Sequence, residues 1–187
     1  FERDQEAGSS SGSRVQVQAL SIVSGTLKYL DADADTDLLV HADQKDSEGA
    51  KGRAFVFDAQ GTYKSERVKA SGAGGSLLRL RSAAEPYSLR VDAVVGDTSA
   101  RFDGTVLNPA QLESIDGDLA LKGATLAHLY RVLGVALPDT PPYRLSGHLQ
   151  HQAGVWRYRG FEGRMGDSDL SGSVSFDTAP KPPMLEA

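Results

Sequence analysis

Four aspartates alternate with other residues early in the chain, a spacing that resembles the first ligands of a calcium-binding loop. They are Asp31, Asp33, Asp35 and Asp37. An EF-hand loop also needs glycine at its sixth position and glutamate at its twelfth, where this chain has Thr36 and Ala42. The segment is therefore interpreted as an acidic surface turn, and the sequence predicts no metal site.

Acid–base chemistry would need a carboxylate beside a histidine, and the sequence offers Asp167 or Asp169 with His148 or His151. No histidine lies near these two aspartates in sequence, and Asp and Ser are ordinary turn residues. The remaining histidines, His41 and His128, form no metal-ligand spacing with an acidic residue. An enzyme is therefore the weakest of three hypotheses, and we expect no catalytic residues.

Other catalytic signatures carry little weight in this sequence. There is no cysteine, and the Gly-x-Ser-x-Gly match at 8–12 falls in the polar Gly/Ser-rich stretch that is interpreted as a linker rather than as a strand-to-helix nucleophile turn. The glycine-rich run 72–75 lacks the Gly-Lys-Ser/Thr ending of a phosphate loop and is interpreted as a turn. The sequence therefore predicts neither a cofactor nor a nucleotide site.

Aromatic and cationic residues mix near the end of the chain, a composition that could stack on a base or sugar or bind lipid phosphate. They are Trp156, Arg157, Tyr158, Arg159, Phe161 and Arg164. Alternation in a strand would place Trp156 and Tyr158 on one face and Arg157 and Arg159 on the other. The ordinary pattern of a half-buried strand is the favoured interpretation.

A glycine between two polar residues, flanked in turn by apolar ones, occurs seven times. The glycines are Gly25, Gly61, Gly104, Gly117, Gly147, Gly163 and Gly172. In a strand, each copy puts the glycine on the apolar face, where it marks a bend, a bulge or a close approach. These glycines could line a groove or a tightly packed sandwich core, and spacing alone favours the core.

Composition limits the class of protein. The 187 residues suit one domain or a domain-sized piece of a longer protein, and 40% are hydrophobic. A net charge of −5 with scattered Lys and Arg does not indicate a nucleic-acid or anionic-membrane partner. No run of about 18 apolar residues is present, so no bilayer-spanning segment is predicted.

The order of elements predicts a mainly β protein. Residues 1–13 are polar and rich in Gly and Ser, and we expect a flexible linker there. Residues 14–187 alternate apolar and polar positions between turn signals, which indicates one antiparallel, β-rich segment. One helix is expected near 124–133, because four residues share a helical face: Leu126, Leu129, Tyr130 and Leu133.

Two strings in the last third of the chain resemble the AsmA family of bacterial envelope proteins. They are Leu-Pro-Asp-Thr-Pro-Pro-Tyr at 137–143 and Gly-Asp-Ser-Asp-Leu-Ser-Gly at 166–172. The strands from about Leu20 to Leu121 fit the family's looser style, and residues 1–13 match nothing. The resemblance implies a strongly curved antiparallel sheet or incomplete sandwich, open like a trough, in a central fragment of a longer protein.

The resemblance also implies a function. We expect a periplasmic, non-enzymatic segment, tethered to the inner membrane by an anchor outside this sequence. Its expected role is outer-membrane biogenesis and envelope integrity, through phospholipid transport along an apolar groove. The alternative is a structural or protein-interaction module that assists outer-membrane protein assembly, with an envelope partner of unknown identity.

The expected wall of the groove consists of the large apolar residues of the strands, with the helix face capping one end. The wall residues are Leu27, Tyr87, Leu89, Val91, Phe102, Leu119, Leu145, Leu149, Leu170, Val174 and Phe176. The capping residues are Leu126, Leu129, Tyr130 and Leu133.

Overall fold

The fold is a single antiparallel β-sheet in which each strand pairs with the next one in sequence. It comes from a computed structural model, which describes residues 24–32, 35–46, 53–75, 85–108, 113–130, 137–177 and 184–186. The eleven strands are β1 (Ser24–Asp31), β2 (Thr36–Asp46), β3 (Arg53–Tyr63), β4 (Glu66–Gly74), β5 (Tyr87–Val95), β6 (Thr98–Leu107), β7 (Ser114–Gly123), β8 (Tyr143–Gln152), β9 (Val155–Met165), β10 (Ser168–Asp177) and β11 (Met184–Glu186).

The sheet is open, since β1 and β11 form its two edges and do not pair with each other. This confirms the prediction of a mainly β, antiparallel and unclosed architecture. Across the described residues no second sheet packs on the first, so the sandwich core that the glycine spacing favoured is not formed. The predicted linker 1–13 lies outside those residues.

Alternation along each strand divides the sheet into an apolar face and a polar face, and the register keeps the two faces separate from strand to strand. On the apolar face, for example, Val91 lies opposite Phe102, which lies opposite Leu119. The six buried hydrophobic side chains all belong to this face or to the segment that covers it: Tyr87, Val106, Leu129, Tyr143, Leu145 and Tyr158.

Two-residue turns join four of the strand pairs. They lie at residues 64–65, 96–97, 153–154 and 166–167, and each contains at least one residue with positive φ. Such turns match the right-handed twist of the strands they connect, which favours hairpins between neighbours in sequence. The sequence signal for one of these turns is the pair Gly96–Asp97, two residue types that favour turns.

A β-bulge interrupts the otherwise continuous register at β9. The pairing shifts between Ser146 and His148 on β8 and between Gly172 and Val174 on β10. Gly160 has φ +54 there, and its N–H donates to Ser173 Oγ at 3.0 Å. This left-handed conformation favours glycine, which has no Cβ to clash.

Only one turn of the predicted helix lies within the described residues. It is a 3₁₀ turn at Leu126–His128, capped by Thr125, and Leu129 and Tyr130 follow it. Leu133 lies outside the described residues. Leu126 and Leu129 pack on the apolar face as the helical spacing predicted, whereas Tyr130 is 55% exposed and points away from it.

Aromatic rings cover the glycines of the apolar face. The Phe102 ring lies over Gly104 and Gly117, which face each other across β6 and β7. A Cβ added to Gly117 would stand 2.6 Å from Gly104 Cα and 2.9 Å from Phe102 Cε2. The same arrangement pairs Phe57 with Gly72, Tyr87 with Gly74, Tyr143 with Gly123, and Phe161 with Gly172. The glycines therefore make room for rings.

Tyr87 and Tyr158 are two of the tyrosines of this face, and both direct their hydroxyls to the backbone. Tyr87 Oη donates to Gly75 O at 2.7 Å, and Tyr158 Oη donates to Leu119 O at 2.9 Å. Burial raises the pKa of each tyrosine to about 12, because the low-polarity surroundings disfavour the phenolate.

Gly117→Ala is expected to destabilise the sheet by about 1–3 kcal/mol, since the new methyl group must displace the Phe102 ring or the Gly104 backbone. Urea denaturation would measure the loss. Gly75→Ala is the matched control, because its Cβ would meet only Tyr87 carbons at 3.7 Å and 4.0 Å. Equal stability of the two variants would contradict the ring-over-glycine account.

Stability should fall as the pH rises from 10 to 12. Below pH 10 the tyrosines are protonated in both states, but above it they ionise first in the unfolded chain, whose tyrosine pKa is about 10. The folded state keeps Tyr87 and Tyr158 neutral until about pH 12. Urea midpoints measured across this range should fall less steeply in a Tyr87→Phe/Tyr158→Phe variant; identical slopes would show that other groups cause the loss.

Candidate lipid-binding face

The eleven predicted wall residues all lie on the apolar face. They occur on six strands, and the register joins them into rows that run across the sheet: Leu145 lies opposite Gly163, which lies opposite Leu170. Leu149 lies opposite Tyr158, which in turn lies opposite Val174. The apolar face is therefore continuous from Leu27 on β1 to Phe176 on β10.

Residues 124–130 and 137–142, between β7 and β8, cover part of this face. Leu129 is 6% exposed and packs with Tyr143, Leu145 and Tyr158, and Leu126 and Leu137 join the same cluster. These residues therefore cover the part of the apolar face that β7 to β10 form.

Hydrogen bonds of Thr125 join residues 125–127 to residues 139–140 in the connection between β7 and β8. Its hydroxyl accepts from Ala127 N at 3.3 Å and from Thr140 N at 2.9 Å, and it donates to Asp139 Oδ1 at 2.7 Å. Leu126 N donates in turn to Thr140 Oγ1 at 3.0 Å. The two ends of the connection are thus fastened to each other over the apolar face.

The other end of the apolar face carries exposed hydrophobic side chains. Leu27 is 63% exposed and Tyr29 is 48% exposed, both on the apolar face of β1. Such exposure of neighbouring large apolar residues is typical of a surface that meets another apolar partner. The sheet thus combines a covered apolar end with an open one.

A groove of about 870 Å³ crosses the sheet from β2 to β9, and it opens on the polar face. Its banks are polar-face residues such as Asp58, Lys69 and Lys122, while small residues such as Ala93 and Ala100 form its floor. Of the eleven predicted wall residues, Leu145 alone borders it. The groove is therefore a different feature from the apolar surface that the sequence analysis had in view.

Most charges around the centre of the polar face are paired across strands. Arg90 Nη2 approaches Asp103 Oδ2 to 2.5 Å, and Arg101 Nε approaches Asp92 Oδ1 to 2.5 Å. All four side chains are more than two-fifths exposed, so each pair contributes little to stability. These pairs keep the polar face hydrated and help to fix the register.

The catalytic pairs considered from the sequence are not formed. His148 lies between Asp116 at 3.2 Å and Asp118 at 3.1 Å, and all three side chains are exposed. Asp169 pairs instead with Arg164 at 3.3 Å. An exposed histidine between carboxylates outside a cleft provides no shielded position for a substrate.

The described aspartates at 31–37 lie in and beside the turn between β1 and β2: Asp31 ends β1, Asp35 is in the turn and Asp37 is on β2. Asp35 has φ +46 and accepts from Ser65 Oγ at 2.6 Å, and Asp37 lies 3.8 Å from Lys28 Nζ. Asp33 lies outside the described residues. Within the described ranges, no group of three or more His, Cys, Asp or Glu side chains could hold a metal ion.

The polar face carries a row of cations that the sequence alone does not reveal. Lys122 on β7 lies opposite Arg144 on β8, which lies opposite Arg164 on β9. These residues are about twenty positions apart in the sequence, so nothing in the sequence groups them. Knowledge of the strand register is needed to find the row.

Comparisons with known proteins identify one relative. The curated AsmA family protein YhjG of Escherichia coli (strain K12) is 38% identical over 152 residues, a match that covers 74% of this chain and 22% of YhjG. The chain thus spans about a fifth of that relative's length. No family model matches the chain, and no solved structure matches it.

In the described residues, no helix has the length and apolar character needed to cross a bilayer. The open antiparallel sheet agrees with the architecture that the strings at 137–143 and 166–172 implied. The similarity to YhjG, at 38% identity over 74% of the chain, shows that the chain belongs to the AsmA family of bacterial envelope proteins.

Proposed function

We propose that this chain is a periplasmic, non-enzymatic section of an inner-membrane-anchored envelope protein, and that its apolar face carries phospholipid acyl chains. The observation that supports the proposal is the continuous apolar face, which runs through ten strands and is left exposed at Leu27 and Tyr29. Membership of the AsmA family supports the envelope setting.

Simple hydrophobic burial is sufficient for this role. Each methylene group that leaves water gains about 0.8 kcal/mol, so an acyl chain gains several kcal/mol from an apolar wall without any specific contact. Because rings such as Phe57 and Phe102 cover the glycines, an acyl chain would lie on aromatic carbon rather than on the backbone. A wall of this kind holds a lipid without fixing its position, which suits transport.

The charged pairs of the opposite face, such as Arg90–Asp103, would keep the outside of the carrier in water. Residues 124–130 and 137–142 would limit access to the apolar face at one end, because Leu126 and Leu129 already occupy the surface that a lipid would need. Lipid would therefore enter from the side of β1, where Leu27 and Tyr29 are exposed.

Leu27→Glu is expected to reduce phospholipid uptake by the 187-residue chain several-fold, since it places a carboxylate on the exposed part of the apolar wall. Leu30→Glu is the matched control. Leu30 lies on the same strand with nearly the same exposure, 64% against 63%, but on the polar face. Uptake would be measured with phospholipid that carries a fluorescent acyl chain.

The fluorescence of Trp156 gives a second reading of the same proposal. Trp156 is the single tryptophan of the chain and lies on the apolar face, stacked on His151 at 4.1 Å between ring centroids. Trp156 is not part of the cluster that packs with Leu129, so phospholipid with brominated acyl chains that extends along the face to β9 should quench it. Absence of quenching, together with equal uptake by the Leu27 and Leu30 variants, would exclude this face as the lipid path and favour the protein-interaction role.

A further inference from the structure

A row of cations lies on the polar face, and the proposed binding of acyl chains does not use it. Lys122, Arg144 and Arg164 occupy adjacent strands and point to the same side of the sheet. Residues directly opposite each other in antiparallel strands have Cβ atoms about 5 Å apart. Three positive charges are therefore aligned at intervals of one strand.

Two members of the row have no anionic partner. Among the residues that the structure describes, no carboxylate pairs with Lys122 or Arg144. Arg164 does have one, Asp169, at 3.3 Å, but the two side chains are 58% and 90% exposed. Like charges directly opposite each other destabilise a sheet, and an exposed ion pair is easily exchanged. The row is thus an arrangement that an added anion would stabilise.

The row borders a cavity of suitable size. Lys122 and Arg144 line the groove of about 870 Å³, and Lys69 lies farther along the same bank. The hydroxyl-bearing residues Ser99 and Ser146 also line it, as do three carboxylates, Asp58, Asp92 and Glu162. Cations and hydroxyl donors that face one concave space are the groups that bind the oxygens of a phosphate, and arginine does so with two parallel hydrogen bonds.

We propose that Lys122, Arg144 and Arg164 form an anion site at one end of the polar-face groove, and that its ligand is a phosphate group. Lys122 and Arg144 are close enough to hold the oxygens of one phosphate between them. Arg164, one strand beyond Arg144, exchanges Asp169 for the same group or for a second phosphate next to it. The site lies on the face opposite to the acyl-chain wall and does not depend on it.

Thermal unfolding with inorganic pyrophosphate tests the site directly. Pyrophosphate should raise the Tm of the wild-type chain by several degrees beyond a chloride control of equal ionic strength. A Lys122→Gln/Arg144→Gln variant should bind pyrophosphate at least tenfold more weakly. Arg67→Gln/Arg157→Gln is the matched control, because it removes the same charge from polar-face positions outside the groove.

A second test of the site measures the Tm of the variants without any ligand. Removal of the repulsion should raise the Tm of the Lys122→Gln/Arg144→Gln variant above that of the wild type at low salt, by about 1–4 °C. Lys122→Glu should do the same, since it gives Arg144 a carboxylate partner, and it should also abolish binding. A cation row with a purely structural role would instead lose stability in both variants.

Vesicles distinguish the two sources of phosphate. Co-sedimentation with phosphatidylcholine vesicles that contain phosphatidylglycerol, lost in the Lys122→Gln/Arg144→Gln variant, would identify a lipid headgroup. A pyrophosphate effect without vesicle binding would identify a soluble phosphate compound. Equal pyrophosphate shifts in the two double variants, or no shift in the wild type, would overturn the proposal. Neither result depends on acyl-chain uptake, which the Leu27 and Leu30 variants measure separately.

Discussion

Cross-strand register is the constraint on which the rest of this structure depends. Because side chains alternate with a period of two, a slip of one residue would move every apolar side chain of a strand to the polar face. Several rings lie over a glycine of the neighbouring strand, as Phe57 does over Gly72, so these ring–glycine pairs oppose such a slip. Ion pairs such as Arg101–Asp92 form in the same register on the polar side, although each contributes little.

A single layer of strands leaves much of its apolar surface half-exposed. Only six hydrophobic residues of the described chain are buried, and most of them lie beneath or within the segment around Leu129. Stability must therefore come largely from the backbone hydrogen bonds and side-chain pairs between neighbouring strands. The apolar surface near β1 stays exposed to water, so its burial against an apolar partner would be favourable. This is the physical link between the fold and the proposed carrier role.

The sequence could predict features that are local along the chain. Alternation identified the apolar face of nearly every strand, and Gly96–Asp97 marked its turn, because both signals lie within a few neighbouring residues. Features that depend on residues distant in sequence could not be predicted. The cation row requires the register between β7 and β8, which are separated by the connection 124–142. The exposure of Tyr130 and the position of the groove on the polar face likewise follow from tertiary packing, which helical spacing and hydrophobic pattern do not contain.

The strictly sequential strand order has a consequence for how such a chain forms and lengthens. Each strand needs only the strand before it, so contact order is low and the sheet can grow hairpin by hairpin from either end. Stability then resembles that of a linear array, a sum of strand terms and nearest-neighbour terms. A pair of strands could be gained or lost at an edge without rearranging the interior, so a sheet of this kind can change its length in steps of one hairpin.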